Sequence, residues 1–263
     1  GGLANPDTKA AWEKDTISIV YSCTKAATAL CAHMLVERGL LDYDMLVGDL
    51  WPDFATAGKE ETTVAMMLSH TSPVPHLRDP IRSGGIADWD YMVDRVAAEE
   101  THWQPGTRQG YHGLTYAWTV GQLVRLAAGK PLSAFFRDEV ATPLGLDFHI
   151  GLPESEEPRV APMIASDPSE VNFKSRFFKA VTTEPGSLPQ LFLTNQGKAN
   201  FNSREIHAAE IGSANGITNA RGLAGMYAPL ANGGGTLLQA ETVQRMSRVC
   251  AATQMDAVLM QPM

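Results

Sequence analysis

Cysteine is scarce: Cys23, Cys31 and Cys250 are the three in a chain of 263 residues. Cys23 and Cys31 fall on one expected helix, eight residues and about 12 Å apart along its axis, beyond the reach of a disulfide. No metal-ligand spacing involves them. They read as small buried apolar side chains, a usage that fits a reduced, cytoplasmic setting. Positive charge is also in short supply. Lys and Arg total 21 against 29 Asp and Glu, a net charge of −8 with no basic cluster, which disfavours nucleic acid and anionic membranes as partners. No apolar run approaches the 18 or so residues of a membrane span. The histidines, among them His70, His76, His102 and His112, show no His-Glu-x-x-His or related spacing, so no metal site and no cofactor are expected. Internal repeats and low-complexity segments are absent. The chain opens on Gly1-Gly2-Leu3 without an initiator Met or signal-peptide pattern and closes on Gln261-Pro262-Met263 straight after an apolar run. It therefore reads as truncated at both ends.

What is present is ordinary for a globular protein: 44% hydrophobic and 19% charged residues, with length enough for a substantial core. Residues 1–263 are read as a single domain. A β-branched run at 16–20 reads as a strand or extended lead-in. Helices are expected over 22–38, 62–68, 89–100, 114–128, 132–140, 220–231 and 242–250, several of them closed by a glycine such as Gly39 or Gly129. Residues 151–204 read as an irregular loop region. They also carry Phe173, Phe177, Phe178, Leu191, Phe192 and Phe201, too many large apolar side chains for plain disorder. The aromatic stretch at 173–201 reads equally as a lid over an acyl pocket or as a loop packed on the helical lobe.

The stretch Val20-Tyr21-Ser22-Cys23-Thr24-Lys25 carries the sharpest chemical signal. Ser22 stands at or near the start of a helix and Lys25 one turn further in. Residues at i and i+3 share a face, with β-carbons about 5–6 Å apart, so an ammonium comes within reach of a hydroxyl. A serine is a poor nucleophile until a base takes its proton. A lysine serves as that base only when burial or nearby positive charge lowers its pKa. By itself Ser-x-x-Lys is also what a serine N-cap followed by a solvated lysine looks like.

Further motifs follow in order: Gly39-Leu40-Leu41-Asp42-x-Asp44, Leu68-Ser69-His70-Thr71-Ser72, Pro105-Gly106-Thr107-Arg108-x-x-Tyr111, and Ala231-Asn232-Gly233-Gly234. With Ser22-x-x-Lys25, this set resembles the serine β-lactamase-like family of class C β-lactamases, D-alanyl-D-alanine carboxypeptidases and family VIII carboxylesterases, the esterase-type members most. The resemblance covers nearly the whole chain. It implies an α+β, β-lactamase/transpeptidase-like fold in which the helical lobe dominates, because the family's N- and C-terminal sheet segments are missing from this sequence. It implies that Ser22 is acylated, that Lys25 holds and deprotonates it, and that Tyr111 is partner base and then acid, its phenol brought toward the anion by Lys25. It places His112, Gly113 and Asn215 beside the substrate. For His112, a plain polar loop residue is the competing reading. His70 reads as satisfying nearby backbone groups.

Three departures bear on activity. The tyrosine motif often ends in Asn where this chain has Gly113, which disfavours β-lactam hydrolysis. Pro73 stands where a Gly usually follows Leu-Ser-His-Thr-Ser. The late Lys/His/Trp-x-Gly strand does not occur before Met263. The resemblance thus implies a serine hydrolase acting on small acyl esters, with weak β-lactamase activity on the side and a small ester or amide as its partner; association into an oligomer is compatible with it. The competing readings are a non-catalytic, structural or truncated member, and a D-Ala-D-Ala carboxypeptidase.

Overall fold

The computed structural model describes residues 1–167, 169 and 171–263. The chain starts with a small antiparallel pair, β1 (Leu3–Asn5) with β2 (Ala10–Ala11). β3 (Ser18–Ile19) then runs into a 3-10 turn at Tyr21–Cys23 and helix α1 (Thr24–Glu37). Most positions of α1 are buried, including Ala27, Leu30, Cys31, Ala32 and Leu35. A helix buried over most of its surface lies inside its lobe. Five more helices follow it: α2 (Val47–Leu50), α3 (Val64–Leu68), α4 (Trp89–Ala98), α5 (Tyr116–Ala128) and α6 (Leu132–Phe136). α5 and α6 pack on α1, and α2, α3 and α4 pack on α5. α5 lies along α1 and buries Tyr116, Ala117, Trp118, Val120, Leu123 and Val124. Gly129 ends α5 in the left-handed region, at φ +64°, where a residue without Cβ carries no steric cost.

After a π-turn at Arg137–Ala141 come β4 (Phe148–His149), α7 (Arg176–Thr183), α8 (Leu188–Thr194) and α9 (Arg204–Ala208). β5 (Ile217–Thr218), α10 (Ala220–Ala231) and α11 (Ala240–Met246) follow. β5 is the middle of an antiparallel sheet in the order β3-β5-β4, with Ile19 opposite Ile217 and His149 opposite Ile217 on the other side. Among the described residues the strands are two or three residues long, so the helices dominate, as the α+β reading expects.

Two expectations need correction. The segment at 151–204 is not uniformly irregular: it contains α7 and α8, capped by the Ser175 and Ser187 hydroxyls accepting from Phe178 N and Gln190 N. Such caps satisfy a free backbone donor and start short helices that hydrophobic periodicity alone misses. The cysteines are not all buried filler either, since Cys31 is buried but Cys23 and Cys250 are exposed. Among the described residues no helix is long and apolar enough to cross a membrane.

Candidate active site

β5 sets the position of Ser22. Its preceding residue Gly216 accepts from Val20 N at 2.9 Å and donates to Thr24 Oγ1 at 2.8 Å, while Thr24 Oγ1 donates to Tyr21 O at 2.5 Å. A Cβ on Gly216 would lie 2.6 Å from Thr24 Oγ1, so only glycine lets the backbone come this near to the start of α1. The clamp holds Tyr21 at φ +42°, in a region that costs a side-chain-bearing residue about 1–3 kcal/mol. Ser22 follows this strained residue and sits in the 3-10 turn just ahead of α1 rather than within it.

Lys25 lies one turn on, 8% exposed. Its Nζ is 3.1 Å from Ser22 Oγ, 2.8 Å from Gly113 O and 3.0 Å from Ser213 O. It also stands 4.7 Å from the centre of the Tyr111 ring. Burial pushes its pKa down to about 7. Tyr111 reaches in from the loop ahead of α5, and its hydroxyl donates to Ser22 Oγ at 2.5 Å. Burial raises the phenol, outweighing the lowering from its hydrogen bond to Ser22. Burial thus acts on the two groups in opposite directions, raising the Tyr111 phenol and lowering the Lys25 ammonium, and gives the expectation that Lys25 draws Tyr111 toward its anion no support.

The tyrosine loop is held from two sides. On one, His70, itself at φ +62°, accepts from Gly110 N through its carbonyl at 3.1 Å and from His112 N through Nδ1 at 3.1 Å. Its ring packs 5.2 Å from Tyr111 and 5.0 Å from Tyr116. On the other, Asp256 Oδ1 accepts from Tyr111 N at 3.2 Å and from Val258 N and Leu259 N at 2.8 Å each. Sequence reading passed over Asp256, which stands in no motif, and the Ser213 carbonyl, which no side chain announces.

Ser22, Lys25, Tyr111 and Gly113 are thus brought together, Gly113 through its carbonyl. His112 and Asn215 are not. His112 is fully buried behind the loop. Its Nδ1 donates to Gly110 O at 2.7 Å, leaving Nε2 to accept from Ser72 Oγ at 3.3 Å, and burial holds its pKa down at about 3. Asn215 is also fully buried. Its amide donates to Ile206 O and Ala209 O and accepts from Ile211 N. Both residues brace the scaffold, and neither has a polar atom left for a substrate. Among the described residues no group of three or more His, Cys, Asp or Glu is placed to hold a metal ion.

A hydroxyl touched at once by a buried amine and a phenol is equipped for nucleophilic chemistry, and the surrounding fold has known counterparts. A family model for Beta-lactamase matches residues 1–261, and the chain belongs to that family. It is 34% identical over 245 residues to Esterase/beta-lactamase LipL of Mycobacterium tuberculosis, an overlap of 85% of this chain and 52% of the relative. The structure of a family VIII carboxylesterase superimposes with a TM-score of 0.87 at 33% identity, over 100% of this chain and 69% of the other. A penicillin-binding protein homologue from Caulobacter crescentus gives a TM-score of 0.87 at 31% identity, with the same coverage. The fold is β-lactamase/transpeptidase-like. The chain spans about half the length of the curated relatives it matches.

Proposed function

We propose that this chain is the acyl-transfer part of a carboxylesterase that forms an acyl-enzyme on Ser22. The observation that carries the reading is the double contact at Ser22 Oγ, with Lys25 Nζ at 3.1 Å and Tyr111 OH at 2.5 Å. In its neutral form Lys25 has two N–H groups, matched by the two carbonyls of Gly113 and Ser213. Its lone pair is then left facing the Ser22 hydroxyl. Lys25 takes the Ser22 proton as Oγ bonds to the ester carbonyl carbon. The Tyr111 phenol gives its proton to the departing alkoxide as the tetrahedral intermediate collapses to acyl-Ser22. The resulting phenolate is reprotonated by the Lys25 ammonium through the hydrogen-bonded site. Water then cleaves the acyl group by the same steps, releasing the acid. The Ser22 N–H is one donor for the developing oxyanion.

The relatives support an ester substrate. One structural neighbour is a family VIII carboxylesterase, and LipL carries esterase in its name. LipL's name also includes beta-lactamase, which keeps a minor lactam activity as the second reading, with the same acyl-serine.

Exposure to a fluorophosphonate probe followed by intact mass measurement tests the assignment. One adduct on the chain, absent from Ser22→Ala, is expected. A folded protein that takes up no adduct would overturn it in favour of a non-catalytic member.

A further inference from the structure

Gly113 lacks a side chain for a reason of space rather than backbone. Its φ lies outside the left-handed region, yet a Cβ placed on it would stand 2.2 Å from Phe192 Cε2 and 2.6 Å from Phe192 Cδ2. The Phe192 ring, carried on α8, fills the volume that the side chain of residue 113 would need. It does so beside the carbonyl that holds Lys25. From there the apolar surface is continuous. Phe192 meets the Tyr111 ring edge-on at 6.1 Å and the Phe177 ring at 5.9 Å. Phe177 and Phe192 are half-buried, and with Leu259 and Met260 they line a cavity of about 370 Å³ bordered by Arg176 and Gln261. Small-molecule sites span about 300–1,000 Å³ and are mostly apolar with a few polar groups at the edge.

We infer that Phe192 and Phe177 form the wall of a specificity subsite that takes the apolar arm of the ester, an extended alkyl chain or an aryl-alkyl group, and leads it from Ser22 into this cavity. The inference rests on the ester-hydrolase reading. The acyl and the alcohol portions of an ester can each present such an arm. Each methylene that leaves water for this wall raises binding about fourfold, so chain length is the variable the subsite reads.

Two series are measured on the full chain: p-nitrophenyl esters from acetate to octanoate, and alkyl acetates from ethyl to octyl. The wild type favours the long member of one series, which identifies the arm as acyl or alcohol. Phe192→Ala and Phe177→Ala each lower the long-to-short ratio of kcat/KM about tenfold. Phe173→Ala, an exposed ring that touches Phe178, leaves that ratio alone. Gly113→Ala, whose methyl group must push the Phe192 ring aside, lowers the ratio too and adds nothing when combined with Phe192→Ala. A ratio unchanged in Phe192→Ala overturns the subsite while leaving the hydrolase reading in place. If the fluorophosphonate adduct fails to form, calorimetric binding of p-nitrophenyl octanoate to Ser22→Ala still reads the subsite. Binding weakened about tenfold by Phe192→Ala supports it, and unchanged binding sinks it.

Discussion

A lysine that is 8% exposed has given up most of its hydration, and three oxygens at 2.8–3.1 Å replace it. None of the three is a carboxylate, so burial wins and the amine titrates at about pH 7. Two consequences follow for pH dependence. In the proposed role of proton acceptor Lys25 must be neutral, so kcat/KM for an ester is expected to rise with pH through a midpoint near 7. Lys25→Arg keeps the charge but cannot lose its proton, and its kcat/KM should fall by at least about 10²–10⁴-fold, the range of general acid–base catalysis. A profile flat from pH 5 to 9, or an active Lys25→Arg, would remove Lys25 from that role. For stability, the folded pKa near 7 lies below the unfolded value of 10.5. Between those values the unfolded chain holds the extra proton, so this residue's contribution improves as pH rises across that window. Much of this was readable beforehand, because an i, i+3 pair on a helix start dictates its own contact. The distant partners were not. Asp256 lies 145 residues from Tyr111 in sequence, and the carbonyls of Gly113 and Ser213 leave no mark in the side-chain pattern.

At the scale of elements, the helices whose ends were most legible in the sequence were the long ones with a glycine stop, while the short α3, α6 and α11 were expected with shifted bounds. α10 falls at Ala220–Ala231, as expected, and α5 ends at Ala128 before Gly129. α7 and α8 are eight and seven residues long and lie in a segment rich in Pro, Ser and Glu, whose turn-forming residues hid their short apolar pattern. What fixes α8 is its end. Asn195, buried after the last turn, accepts from Ile81 N at 2.7 Å and donates to Leu77 O and Asp79 O at 3.0 Å each. One side chain thereby pins the Phe192-bearing helix to the loop at 77–81. Asn195→Ala removes all three bonds and leaves a buried amide without its acceptor, a loss of about 1–3 kcal/mol. Urea unfolding should show that loss, and the Ile81 amide should exchange with solvent faster. If Ile81 keeps its wild-type protection, Asn195 is not the tie. A loosened α8 should also lower the preference for long esters, since its ring forms part of the wall.

For the whole molecule, the helix-dominated lobe was an implication of the family resemblance, and the helical patterns along the chain agree with it. What the sequence could not foretell was how many histidines the lobe would bury. His33, His76 and His102 titrate at about 4 and His112 at about 3, in every case because burial penalises the imidazolium first. His70 is also lowered well below the ordinary range by burial. Several of these rings brace structure as neutral acceptors. His33 Nδ1 lies 2.7 Å from Tyr43 OH, and His76 Nδ1 accepts from Leu77 N at 2.9 Å. Each folded pKa sits below the unfolded value of 6.5. Above pH 6.5 neither state is protonated and the contribution is whole. As pH falls from 6.5 toward 4 the unfolded chain binds protons that the folded chain refuses, and stability drops by up to about 1.4 kcal/mol per pH unit for each such histidine. The free energy of urea unfolding should therefore fall steeply between pH 6.5 and about 5, above the range in which most carboxylates titrate. His33→Gln, with an amide that can still accept from Tyr43, should flatten that slope by about one histidine's share. A free energy level down to about pH 5, with all loss below it, would assign acid unfolding to the carboxylates and leave the buried histidines without a part in it.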